Sequence, residues 1–361
     1  MTDEASNSDQ TERSRRDAGI RRLAEGYSGV DEPRKLGFIE TMIATALRLG
    51  RDGADTGELK LVASAVKELR YAYRVFRPWK NHSKISIFGS ARTPEDHPDY
   101  AAAREFGRLM GEAGWMSITG AGDGIMKAGH EGPGQERSFG LRIRLPFETT
   151  ANEVIAQDPK LINFRYFFTR KVMFVTHSRA IAALPGGFGT MDELFEALTL
   201  IQTGKSHPMP VILLEGEGGT YWPRWLAFVR EELLDNGWVS GNDLSLVEIA
   251  SDPADARDRV LRFYRNYQSS RYVGDQFVIR LRRAPDAQTV AELEETFGAL
   301  TTDGRFIVSE ALPGETIDLH LPRLHYRSRR RDFAGVRRLI DRLNDIEVLD
   351  TDPTGTVETE V

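Results

Sequence analysis

Three glycine-rich turns each follow a short apolar run. Gly89-Ser90 follows residues 85–88, Gly120-Ala121-Gly122-Asp123-Gly124 follows 115–119, and Pro185-Gly186-Gly187-Phe188-Gly189-Thr190 follows 180–184. Without a Cβ, glycine lets backbone N–H groups come close to a phosphate. A helix starting near Thr190 adds its own unpaired N–H groups and positive dipole end. Any one of these turns can be a plain strand-to-helix connection, but three on one sheet edge point to a phosphate-bearing ligand. No Gly-x-x-x-x-Gly-Lys-Ser/Thr run is present, and Gly120-x-Gly122-x-Gly124 lacks the Gly-x-Gly-x-x-Gly spacing of dinucleotide binders. The turns therefore suit one phosphate on a small nucleotide. Glu193 falls in the first turn of the same helix, where the dipole favours an ionised carboxylate. Taken alone, it reads as a common helix-start residue, and Asp192 and Glu196 read as solvated or structural.

The elements that must position these turns alternate between strand and helix from residue 84 to about 267. Apolar runs at 85–88, 115–119, 141–145, 180–184 and 211–214 read as strands, and periodic stretches at 98–114, 168–176, 190–203 and 221–234 as helices. Such alternation predicts an α/β fold, a doubly wound, mostly parallel Rossmann-like sheet covered on both faces. Ligands then bind at the carboxyl edge. Residues 1–33 lack apolar periodicity and read as a disordered tail. Residues 34–83 carry two helical patterns, with Phe38, Met42, Ala46 and Leu49 in the first and Leu59, Val62, Val66, Leu69, Tyr73 and Phe76 in the second. This extension reads as packing or oligomerisation material. The main domain then spans 84–270. Residues 271–350 change rhythm, with strands expected at 276–281, 305–308 and 316–321 and helices at 289–300 and 331–343. They form a small α+β appendage of ferredoxin-like order, followed by a polar tail at 351–361.

Composition narrows the chemistry. The 361 residues include no cysteine, which excludes disulfides, thiolate catalysis and cysteine-held metals. The seven histidines (His82, His97, His130, His177, His207, His320 and His325) show no metal-ligand spacing, so no metal is expected, although His130 lies near the second turn. A formal charge of −6 argues against bulk nucleic-acid binding. The basic run Arg327, Arg329, Arg330, Arg331, Arg337 and Arg338 reads as a solvated helix face. No apolar stretch approaches the roughly 20 residues of a membrane span, and the polar N-terminus offers no signal peptide. A cytoplasmic protein is expected.

The segment Pro185-Gly186-Gly187-Phe188-Gly189-Thr190-Met191-Asp192-Glu193 resembles the Pro-Gly-Gly-x-Gly-Thr-x-x-Glu motif of the LOG (LONELY GUY) family, often labelled lysine decarboxylase-like. Thr169-Arg170-Lys171-Val172-Met173 resembles the Arg-Lys helix start that accompanies that motif, and Phe88-Gly89-Ser90-Ala91-Arg92 also fits. The resemblance spans roughly residues 84–250. One turn departs: cytokinin-activating members commonly have Gly-Gly-Gly-x-x-Gly-Leu-Met-Gly where this chain has Thr119-Gly120-Ala121-Gly122-Asp123-Gly124-Ile125-Met126-Lys127, which leaves the preferred base open. The resemblance implies a phosphoribohydrolase that cuts a nucleoside 5′-monophosphate, AMP or a prenylated AMP, into free base and ribose 5-phosphate. Carried over by position, Arg170 and Glu193 are the catalytic pair. Gly186, Gly187, Gly189 and Thr190 hold the 5′-phosphate, and Gly89, Ser90, Gly122, Gly124 and Lys171 complete the substrate-binding set. Cleaving an N-glycosidic bond builds positive charge on the ribose, which a carboxylate can stabilise. An arginine can anchor phosphate or assist the leaving base. Family sites lie near subunit contacts, so a homodimer or larger homo-oligomer is expected. No cofactor is expected, because pyridoxal phosphate chemistry needs a Schiff-base lysine and the sequence singles out none. The alternative is a non-catalytic nucleotide or molybdenum-cofactor carrier on the same fold, which needs the glycine turns but not the carboxylate.

Overall fold

The computed structural model describes residues 15, 17–146 and 150–346. The expected polar tail at 351–361, and residues 1–14 and 16 of the expected 1–33 tail, lie outside the described residues. The chain divides into two compact units, Met1–Lys67 and Glu68–Val361. The boundary falls inside a helix, not at residues 83/84 as the sequence suggests.

In the first unit, α1 covers residues 17–28, where the sequence suggests only disorder; Ile20 and Ala24, four apart, are its buried positions. Helix α2 (Pro33–Arg51) starts with proline at its first turn, where a missing N–H costs nothing. None of its residues is buried, and Phe38 and Met42 stand exposed. Helix α3 (Thr56–Phe76) opens with a reciprocal cap: Glu58 N–H donates to Asp55 Oδ1 and Asp55 N–H to Glu58 Oε2.

The second unit carries a seven-stranded sheet built from β1 (Lys84–Phe88), β2 (Met116–Thr119), β3 (Ser138–Ile143), β4 (Leu161–Phe164), β5 (Ala180–Ala183), β6 (Val211–Leu213) and β7 (Val247–Ile249). Every neighbouring pair is parallel, in the order β4-β3-β2-β1-β5-β6-β7. Helices α4 (Pro98–Glu112), α5 (Ile125–Glu131), α6 (Phe167–His177), α7 (Phe188–Gln202) and α8 (Tyr221–Phe228) lie in the crossovers, and α9 (Pro253–Phe263) follows β7. Alternation of side chains splits the sheet's core in two. Ile85, Ile87, Ala180 and Ala182 pack with α4, α5 and α9, whereas Phe88, Ile181, Ala183 and Leu213 pack with α6, α7, α8 and the end of α3. A parallel sheet covered on both faces needs this two-sided apolar content. The architecture is a doubly wound Rossmann-like α/β fold.

The C-terminal module is β8 (Tyr267–Val273), β9 (Gln276–Leu281), α10 (Ala287–Phe297), β10 (Ile307–Ser309), β11 (Arg323–Arg327) and α11 (Phe333–Asn344). Its sheet is antiparallel throughout, in the order β10-β11-β9-β8. It opens with a β8–β9 hairpin, so its order is ββαββα and not ferredoxin-like. The strand expected at 316–321 is also absent. Asp318 there has φ of +51°, which interrupts extended backbone, and the strand lies beyond Pro322. The module is bonded into the Rossmann-like part. Arg337 on α11 pairs with Glu248 of β7 at 2.5 Å and lies 4.7 Å over the Phe263 ring. The Asn344 side-chain oxygen accepts from the N–H groups of Asn266 and Tyr267. Arg337 is therefore buried, not part of a solvated basic face, while Arg327 pairs with Asp275 and Arg338 bonds Asn242.

Candidate active site

From β1 the chain winds outward through β2, β3 and β4, then returns to place β5 on the other side of β1. The two strands therefore flank the point where strand order reverses, the place where open α/β sheets bind ligands. The turns after β1, β2 and β5 meet there around a cleft of about 750 Å³.

The turns after β1 and β5 are fastened together, with Ser90 N–H donating to Pro185 O at 3.1 Å. A Cβ on Gly186 would collide with Thr190 Oγ1 and lie 3.0 Å from the Ser90 nitrogen, so only glycine fits this crossing. Tyr221 Oη donates to the Gly186 carbonyl at 2.6 Å and closes that side. Gly187 then begins α7 with no side chain to cap it, leaving the first N–H groups of the helix for a ligand. Gly187 and Gly189 are exposed, and Thr190 is buried against the turn. Gly186→Ala is expected to cost about 1–3 kcal/mol of stability through this overpacking. Gly187→Ala, whose Cβ meets nothing within 4 Å, is the comparison. Denaturation midpoints that fall equally for both would refute the crowding argument.

The two expected catalytic side chains come together across the cleft. Helix α6 supplies Arg170 and the first turn of α7 supplies Glu193; Arg170 Nη2 donates to Glu193 Oε1 at 3.1 Å. Their side chains are only 13% and 9% exposed. The Arg170 guanidinium also lies 5.2 Å and 5.6 Å from the ring centres of Phe167 and Phe174. Burial pushes the Glu193 carboxyl above its ordinary range, against the opposing pull of Arg170 and Lys171. Activity that needs ionised Glu193 should accordingly fail, on acidification, at a pH above the ordinary carboxylate value of about 4.3. Glu68 sets α6 in place, accepting from Arg165 N–H at 2.8 Å and from Thr169 Oγ1 at 2.6 Å.

Other expected site residues fall elsewhere. Lys171 does not line the cleft; it holds Asp192 at 2.8 Å and Glu196 at 2.7 Å and so ties α6 to α7. Of the second turn, Gly120 lines the cleft but Gly122 and Gly124 do not. Gly124, with φ of +58°, packs against the Ser90-Ala91 backbone, and the Gly122 carbonyl accepts from Asn152 Nδ2. Gly89 is pressed against the Ile125 side chain at the cleft floor. His130 is fully buried beneath that turn, bonded to Thr119 Oγ1 and Phe139 O, and burial pushes it down to about 4. It is a neutral structural group. Ile143, Leu145 and Phe167 form an apolar wall, and Arg92, Met126 and Tyr221 also line the cleft. Sequence reasoning assigned no role to these last three.

None of the described residues lining the cleft is a lysine, so the site as described does not fit pyridoxal phosphate. Among the described residues no cluster of histidine and carboxylate side chains could hold a metal ion. No helix among them is long and apolar enough to cross a membrane.

Comparison with known proteins agrees with the motif. Residues 121–260 match a family model described as "Possible lysine decarboxylase". The chain is 38% identical over 78 residues to cytokinin riboside 5′-monophosphate phosphoribohydrolase LOG4 of Arabidopsis thaliana, covering 22% of this chain and 34% of that protein. It is 29% identical over 184 residues to the cytokinin riboside 5′-monophosphate phosphoribohydrolase of Mycobacterium tuberculosis, covering 48% of this chain and 95% of that protein. The chain thus spans about a third of the length of the plant relatives it matches. A solved structure of the molybdenum cofactor carrier protein of Chlamydomonas reinhardtii covers 50% of this chain and 96% of its own at 24% identity, and its TM-score of 0.35 carries no argument. Through its Rossmann-like domain, and the glycine motif and Arg170–Glu193 pair that the domain brings together, the chain is similar over this region to the LOG family.

Proposed function

We propose that the protein hydrolyses the N-glycosidic bond of a nucleoside 5′-monophosphate, AMP or a prenylated AMP, giving free base and ribose 5-phosphate. The observation that carries this reading is the buried Arg170–Glu193 pair in the same cleft as the uncapped start of α7. The 5′-phosphate sits on the N–H groups of residues 187–190, which directs the ribose towards Glu193. As the bond to the base lengthens, the Glu193 carboxylate stabilises the charge that develops on the ribose ring and orients water towards C1′. The base leaves with a proton and the water oxygen becomes the new hydroxyl. Arg170 holds Glu193 in position, and the apolar wall of Ile143, Leu145 and Phe167 receives the base. The activities named for the relatives support the same reading.

The test is incubation of the pure protein with a panel of nucleoside monophosphates, prenylated AMP included, followed by assay of free base and ribose 5-phosphate. Release from at least one nucleotide is expected. Binding without release from any would replace the hydrolase by a nucleotide carrier. The protein acts as a homodimer or larger assembly, a reading supported by the exposed apolar residues Phe168, Val172 and Phe195 on α6 and α7. Light scattering of a monomer at working concentration would refute it.

A further inference from the structure

We infer that Arg92 is a phosphate-positioning residue of this site, the cation that neutralises the substrate's 5′-phosphate; the inference rests on the nucleotide reading above. Among the described residues, three charged side chains line the cleft: Arg92, Arg170 and Glu193. Arg170 is held by Glu193 at 3.1 Å, so those two charges offset each other. The other basic residue expected to bind substrate, Lys171, is turned to Asp192 and Glu196 outside the cleft. A phosphate carrying nearly two negative charges would thus meet a buried carboxylate with only backbone N–H groups to offset it, unless Arg92 contributes.

The chain puts Arg92 where that contribution is needed. Its N–H donates to Ser90 Oγ at 3.1 Å, which anchors it two residues beyond the turn. Ser90 in turn is bonded to Pro185 and lies beside Gly186, at the foot of α7. The backbone on either side is fixed as well, since the Ser90 carbonyl accepts from Ile125 N–H and Gly124 packs on Ala91. The side chain is exposed at the cleft, and its guanidinium has no hydrogen bond or ion pair to any described residue. Its planar fork can take two phosphate oxygens at once, whereas a lysine offers only a point charge. Helix N–H groups supply direction and Arg92 supplies the full charge.

The test is calorimetric binding of AMP, ribose 5-phosphate and inorganic phosphate to wild type, Arg92→Ala and Arg92→Lys, with steady-state kinetics on the nucleotide that wild type cleaves. Arg92→Ala should weaken all three ligands by about 10–100-fold, the loss of one charged hydrogen-bonding group. KM should rise far more than kcat falls, and Arg92→Lys should recover part of the affinity. Adenosine, which has no phosphate, should bind wild type and Arg92→Ala equally. Unchanged phosphate and AMP affinity in a folded Arg92→Ala would overturn the assignment, as would an equal loss of adenosine. Ribose 5-phosphate binding that depends on Arg92 in a protein that cleaves no nucleotide would keep the assignment and remove the hydrolase.

Discussion

Glu193→Gln should lower kcat on the preferred nucleotide by about 10²–10⁴-fold, while nucleotide binding and the folded state survive. Glutamine keeps the size of the side chain and can still accept from Arg170 Nη2, which now donates to Glu193 Oε1. It therefore isolates the charge. In wild type that charge is held in an environment that resists it, because burial raises the carboxyl's pKa before Arg170 and Lys171 pull it back. A carboxylate so poorly solvated interacts strongly with positive charge developing beside it. The pH profile gives an independent reading. Wild-type activity should fall along an acid limb placed above the ordinary carboxylate range, and the residual activity of Glu193→Gln should lack that limb. The same group bears on stability with the opposite sign from most carboxylates. Its folded pKa is raised, so its contribution favours folding below the unfolded value and is lost as pH rises through the folded one. Glu193→Gln should thus hold or slightly raise stability at neutral pH while it removes turnover. A variant with unchanged kcat would show that Glu193 is only a helix-start carboxylate.

Glu315→Gln should cost about 3–5 kcal/mol of stability, because it leaves two buried guanidinium groups without their shared counterion. Glu315 Oε1 accepts from Arg280 at 2.8 Å and Oε2 from Arg323 at 3.0 Å, with side chains 0%, 4% and 0% exposed respectively. Leu312 N–H is a third donor to this carboxylate, at 2.9 Å. Burial alone would raise the Glu315 carboxyl, but Arg323, the Leu312 N–H and Arg280 outweigh it and hold the pKa below the usual value. This contribution is therefore present above the unfolded pKa and is lost as pH falls through the folded one. Urea denaturation at neutral pH and near pH 3 tests both parts. Wild type should lose stability between the two, and the gap between wild type and variant should narrow. A triple replacement of Glu315, Arg280 and Arg323 by apolar residues should recover much of the loss. A fall below 1 kcal/mol for Glu315→Gln at neutral pH would mean water reaches the triad.

The sheet was legible where strands were continuous apolar runs, as at residues 180–184 and 211–214, because a doubly covered parallel strand has no polar face to hide it. Shorter pieces escaped. β7 is three residues, and α5 is seven, too short for a helical period to register. Asp252-Pro253 marked the start of α9 with a capping side chain and a proline, a signal available but unused. The 316–321 stretch alternates like a strand, yet Pro322 and the positive φ of Asp318 belong to a turn. At the site, the motif at 185–193 brings Glu193 to the cleft, and of its glycines Gly186 is the one the local crossing requires, since a Cβ there would meet Thr190. The departures have a different origin. Lys171 points to its carboxylate neighbours, and Gly122 and Gly124 serve the turn's own packing, choices made by tertiary contacts. Glu68 and Tyr221 support the site from about 100 and 35 residues away in sequence, beyond any local pattern.

Helix α7 has the cleft at one end and the C-terminal module at the other, where the Phe333 ring of α11 fills the space beside Gly204. Together with the Arg337–Glu248 pair and the bond from Asn344 Nδ2 to the Phe263 carbonyl of α9, this makes the module a keystone and not a passenger. A deletion beginning at residue 271 would cut β8 in mid-strand and bare the underside of α7. Truncation is thus the wrong instrument for asking what the module does. Point changes on its outer surface, away from α11, can vary the module while leaving the catalytic half its support.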